Sequence, residues 1–158
     1  MEVDQYVYFA LKSERMSAEE MTARLGLEAD EITIRGSRRS EPPRPAVHIW
    51  KISVPRSSLP VDDMIMALVD RLEPYASAIG GLAEELDRDE PGHTAVLQVV
   101  RFFGEDEEDE EDEDSEEEWM TEVPTRPRPL GRHLDRRVLD FLQTTRAELD
   151  VDEYGDTL

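Results

Sequence analysis

Few residues of this chain could do chemistry, and their spacing decides what each can do. His48, His93 and His133 stand singly, with no second histidine at helical or strand spacing to share a metal ion. There is no cysteine, which removes thiolate metal sites, disulfides and a thiol nucleophile. The stretch "DVDEYG", from Asp150 to Gly155, opens like a calcium loop, but Tyr154 takes the fifth ligand position. Ser57 and Ser58 in "PRSSLP" lack the Gly-x-Ser-x-Gly elbow that exposes a nucleophilic serine. Lying just before a helix, they are expected to help cap it. The carboxylate pairs Glu84/Glu85 and Asp87/Asp89 follow a helical pattern and are expected to face solvent. These patterns point to no catalytic residue, no metal and no cofactor.

Charge is the stronger signal. In "GEDEEDEEDEDSEEEW", thirteen of the fourteen residues from Glu105 to Glu118 are carboxylates. The formal net charge of the 158-residue chain is −21. Such a field repels nucleic acid and anionic membrane and attracts basic partners. A contiguous block of like charge buries no apolar surface, so 104–130 is expected to be a disordered insertion within one domain spanning 1–158. Two readings of the run follow: an inert solubilising insertion, or a polyanionic arm gripping a basic surface. In the second, the partner-binding residues are Glu105, Asp106, Glu107, Glu108, Asp109, Glu110, Glu111, Asp112, Glu113 and Asp114, with Trp119 as an apolar anchor. A different set, Arg35, Arg38 and Arg39 of "RGSRRS" with His48 and Trp50, is the candidate for a ligand or anion contact. No Gly-rich strand-turn-helix supports a phosphate site there. Exposed Tyr6 and Tyr8 on a sheet would resemble an RNA-recognition module, which the net charge argues against.

These residues must be positioned by short elements. "VDQYVYFALK" alternates, with Val3, Val7, Phe9 and Leu11 on one face, and predicts a half-buried strand. "MSAEEMTARLG" carries a capping box, Ser17 with Glu20, and a left-handed terminator, Gly26, which predicts a helix over 18–25. "EITIRG" reads as a second strand with Ile32 and Ile34 inward, and "VHIWKISV" as a third with His48, Trp50, Ile52 and Val54 on one face. Pro60 opens a helix with an apolar stripe of Val61, Ile65, Leu68, Val69 and Leu72. Pro74 ends or kinks it, and a weaker helical piece follows, interrupted at Gly80 and Gly81. "TAVLQVVRFF" is a fourth strand, apolar on both faces. "HLDRRVLDFLQTT" is a last helix, and "AELDVDEY" a short last strand. The fold class is therefore α+β: a ferredoxin-like βαββαβ sheet with an added C-terminal helix and short strand. The additions are expected to cover the open face of the sheet or to extend its edge.

"MSAEEMTARLGLEADE", "RGSRR", "VHIWKISV", "LPVDDMIMALVDRLEP" and "RAELDVDEY" together resemble the bacterial domain of unknown function 4279, over most of the chain outside Gly104 to Gly131. The resemblance implies a small α+β cytoplasmic domain. It implies no site residues, because that family has no assigned activity. The opening "MEVDQYVYFA" lacks the basic region of a signal peptide, and no apolar run approaches ~20 residues, so a cytoplasmic protein is expected.

The expected function is non-catalytic: an acidic surface that recognises a basic protein partner, in its sharpest form as an inhibitor or immunity-type protein. Neither nucleic acid nor membrane is expected as a partner. A second reading is a small ligand-binding sensor or enzyme with a pocket between sheet and helices, around His48, Trp50 and Arg35. A third is a homodimeric module joined through its sheet, without a ligand.

Overall fold

Alternation along most of its eleven residues makes β1 (Val3–Ser13) the strand on which the sheet is built. The structure, a computed structural model, describes residues 3–57, 59–92, 94–104 and 133–155. β1 pairs antiparallel with β3 (His48–Ser57) on one side and with β4 (Ala95–Phe103) on the other. The three-residue β2 (Glu31–Thr33) joins β3 at one edge, also antiparallel. At the other edge β5 (Glu148–Gly155) runs parallel to β4. The chain is thus α+β, with a five-stranded mixed sheet in the order β2-β3-β1-β4-β5. β5, eight residues long, extends the sheet's edge. β4 lies between β1 and β5, and Ala95 to Arg101 are all buried, the polar Gln98 and Arg101 among them.

One face of the sheet presents Val7, Phe9 and Leu11 of β1, Trp50 and Ile52 of β3, and Leu97 and Val99 of β4. All are buried in one core with the helices. Helix α1 (Ala18–Leu25) forms as its sequence predicts. Ser17 accepts from the Glu20 amide, Glu20 reaches back to the Ser17 amide, and Gly26 ends the helix at φ 67°. α2 (Val61–Leu72) buries Val61, Met64, Ile65, Leu68, Val69 and Leu72, the stripe expected with Met64 added. Pro74 sits in a 3-10 turn, Glu73–Tyr75, that carries the chain into α3 (Ala76–Asp89). α4 (Arg136–Thr145) is capped by Asp135, whose carboxylate accepts from the Val138 amide at 2.9 Å. It lays Phe141 edge-on against Phe9, ring centres 5.8 Å apart.

Four expectations are corrected. α3 runs unbroken through Gly80 and Gly81. Gly80 is needed because α4 crosses it closely: a Cβ there would lie 2.0 Å from the Thr144 carbonyl oxygen. Ile32 and Ile34 are not inward but 46% and 55% exposed. β2 is too short to include Ile34, and α1 packs against β3 rather than reaching out to this edge. Ser57 does not cap α2, whose N-cap is Pro60 without a side-chain bond; its hydroxyl accepts from the Leu59 amide at 2.9 Å. Asp87 is half-buried rather than turned to solvent, whereas the Glu85 side chain is at the surface as expected. Glu85 pairs with Arg24, linking α3 to α1, and Asp87 accepts from the Thr94 hydroxyl.

Asp30, just before β2, is tied to α2. Arg71 donates to both its oxygens at 2.6 and 2.7 Å, and the Ser53 amide donates to it at 2.9 Å. Chiefly through the Arg71 bonds, its carboxyl is held below the ordinary aspartate value of 3.8. A group whose pKa falls on folding stabilises fully above its unfolded pKa and loses that stabilisation as pH drops through the folded one. Chemical denaturation of wild type and Asp30→Asn should therefore show a constant gap at neutral pH. The gap should shrink below 3.8 and close beneath the lowered pKa. A gap that widens toward acid would mean that Arg71 does not hold this carboxylate.

No helix among the described residues is long and apolar enough to cross a membrane.

Candidate functional site

The ligand set read from the sequence is only partly assembled. The Arg35 amide donates to His48 Nδ1 at 3.1 Å, and the Arg35 guanidinium donates to the Glu14 carbonyl at 3.1 Å. The His48 ring thereby holds the loop after β2 at the start of β3, and the Arg35 side chain ties it to the turn after β1. Arg38 and Arg39 are exposed in that loop, with the Arg39 amide bonded to Ser37 Oγ. Trp50 lies fully buried in the core, with no hydrogen-bond partner for its indole Nε1. The space between sheet and helices is filled by Trp50, Phe9, Leu11, Met21, Ile52 and their neighbours. The acidic run from Glu105 to Glu118 and Trp119 lie outside the described residues. Among the described residues no group of three or more His, Asp or Glu could hold a metal ion.

Among the described residues, a concave feature lies on the other face of the sheet. A shallow cavity of about 320 Å³ is lined by Tyr6, Tyr8, Glu31, Lys51, Ser53, Val54, Pro55 and Arg56. Its walls follow from strand alternation and register. Tyr8 lies level with Ser53, Gln98 and Asp150; Tyr6 with Val100 and Asp152; Asp4 with Phe102 and Tyr154. The register between β1 and β3 slips between Gln5 and Val7, so that two residues of β3, Pro55 and Arg56, face the single Tyr6. Such a bulge re-aims the strand's side chains and tolerates a proline.

Four aromatic rings form a band across β1, β4 and β5. Tyr6 stacks on Tyr8 at 6.2 Å, meets Phe102 at 6.4 Å, and Phe102 stacks on Tyr154 at 5.2 Å. Two cations lie over the band. Lys51 Nζ is 4.7 Å from the centre of the Tyr8 ring and pairs with Glu31 at 3.3 Å. The Arg56 guanidinium is 5.3 Å from Tyr6 and 5.5 Å from Phe102, and is ion-paired with Asp4. Asp152 accepts from Gln98 Nε2 at 3.1 Å. Burial pushes the Tyr8 hydroxyl above its ordinary pKa, and Tyr6, Asp152, Asp150 and Glu31 add to the shift. Tyr8 therefore stays a neutral hydroxyl at physiological pH. This face holds charged and planar groups.

Tyr6 and Tyr8 were legible as outward-facing from alternation alone. Phe102, Tyr154 and Arg56 were not. Phe102 is followed by a second phenylalanine, so alternation does not say which of the two faces out. Tyr154 depends on the parallel register of β5, and Arg56 on the bulge.

No curated protein and no solved structure matches the chain significantly. The model of one family, the domain of unknown function DUF4279, matches residues 3–156, nearly the whole chain. The arrangement of sheet, helices and aromatic face described above is therefore that of a member of the DUF4279 family, to which this chain belongs.

Proposed function

We propose that the protein is a non-catalytic cytoplasmic binding module that recognises a basic protein partner. The outer face of the sheet is the docking surface in this reading, and the acidic run 105–118 steers the approach by charge. An inhibitor or immunity-type role is its sharpest form. One observation carries it: this face already holds a guanidinium, that of Arg56, over Tyr6 and Phe102 and beside Asp4. Aromatic faces attract cations through the ring quadrupole, and a flanking carboxylate adds a charge-assisted hydrogen bond. The carboxylates that push up Tyr8 belong to the same face. The filled interior favours recognition on a surface over a ligand sensor with a pocket between sheet and helices.

The scaffold reads as a ferredoxin-like βαββαβ unit, supported by the antiparallel β2-β3-β1-β4 part, to which α4 and the parallel β5 are additions.

The test is kinetic, with an arginine-rich peptide as probe. Its association rate should fall steeply with ionic strength and drop when Glu105 to Glu118 is replaced by a Gly-Ser linker. Tyr6→Ala combined with Phe102→Ala should leave association nearly unchanged and speed dissociation. Binding that ignores salt and both changes would refute the proposal.

A further inference from the structure

We infer that the Tyr6–Phe102 subsite takes an arginine side chain from the partner, and that Arg56 is the stand-in that occupies it until the partner arrives. The inference rests on the reading of the outer face as a surface for basic partners, and adds which cation it takes and what must leave first.

Three observations carry it. The guanidinium of Arg56 lies within 5.5 Å of the centres of both rings, so one planar cation is shared between two aromatic faces. Asp4, across from Phe102 on β1, closes the site as the carboxylate partner. A planar fork matches this combination of ring face and carboxylate, whereas an ammonium matches only the charge. Lys51, by contrast, sits over Tyr8 alone. Arg56 also holds its place weakly: its side chain is 62% exposed and that of Asp4 is 43% exposed. Exposed ion pairs contribute little, so an incoming arginine displaces Arg56 at small cost. The site then exchanges one guanidinium for another, and Arg56 swings into solvent. Because the bulge sets Arg56 on the outer face beside Pro55, it leaves without breaking the β1–β3 pairing on either side.

The experiment compares wild type with Arg56→Gln, using a short peptide of alternating arginine and glycine and its lysine counterpart. Arg88→Gln, on α3 on the helix-covered side, removes the same charge at a distance. If Arg56 is a stand-in, Arg56→Gln should bind the arginine peptide about threefold more tightly than wild type, the factor of an exposed cation–π contact. Arg88→Gln should gain distinctly less, and the lysine peptide should gain less than the arginine peptide. Ring-proton shifts of Tyr6 and Phe102 should move further on binding to Arg56→Gln. Equal gains in the two variants, or weaker binding by Arg56→Gln, would overturn the stand-in while leaving recognition of basic partners intact. No binding to either peptide by any variant at low salt would overturn both.

Discussion

Gly80→Ala is expected to be among the most damaging single changes in this protein, and Gly81→Ala next to it is expected to stabilise. The two glycines are consecutive residues of one helix, so intrinsic propensity treats them alike: alanine gains about 1 kcal/mol over glycine in a helix interior. Their surroundings differ. A methyl at Gly80 would lie 2.0 Å from the Thr144 carbonyl oxygen and 3.1 Å from its carbon, whereas a methyl at Gly81 meets nothing within 4 Å. Backbone cannot rotate away as a side chain does, so α4 must move off α3 and disturb the Phe141–Phe9 contact. Overpacking of this kind costs about 3 kcal/mol or more, which exceeds the propensity gain. Chemical denaturation of both variants decides the matter. Stabilisation by both would mean that α4 does not pack on α3 at Gly80.

Leu68→Ala should cost about 2–5 kcal/mol, as expected for a leucine truncated in a packed core. Leu68 is 1% exposed and lies in the middle of the α2 stripe that covers the sheet. Arg71, one turn further on, is the comparison. Its pair with Asp30 is bidentate, but the side chains are 44% and 32% exposed, so Arg71→Ala should cost no more than about 1 kcal/mol. Equal losses at the two positions would mean that the buried face of α2 has been assigned to the wrong side.

The elements themselves came from local signals. The Ser17–Glu20 box and Gly26 bounded α1 because capping is decided within a few residues. The alternation of β1 and the stripe of α2 set their buried faces, because side-chain direction follows the period of the element. The end of α2 just before Pro74 followed from the missing amide of proline. The absence of cysteine and of clustered histidines was likewise complete in the sequence.

Other features were decided only by long-range contact. Whether Gly80 breaks a helix or admits a neighbour depends on Thr144 of α4, more than sixty residues away in the chain. Ile32 is apolar and in strand register yet exposed, because burial depends on what covers the edge of a sheet and not on the residue. Arg35 and His48 were grouped from the sequence as ligand contacts, but the bond between them is backbone to ring and holds a loop. The outer face was the least legible part. Tyr6 and Tyr8 follow from the period of β1, but Phe102 and Tyr154 join them only through the registers of β1 with β4 and of β4 with β5. Arg56 reaches the band only through a slip in strand pairing. Local periodicity determined which residues could face outward. Register, which no single segment specifies, decided that four rings, a guanidinium and its carboxylate would meet.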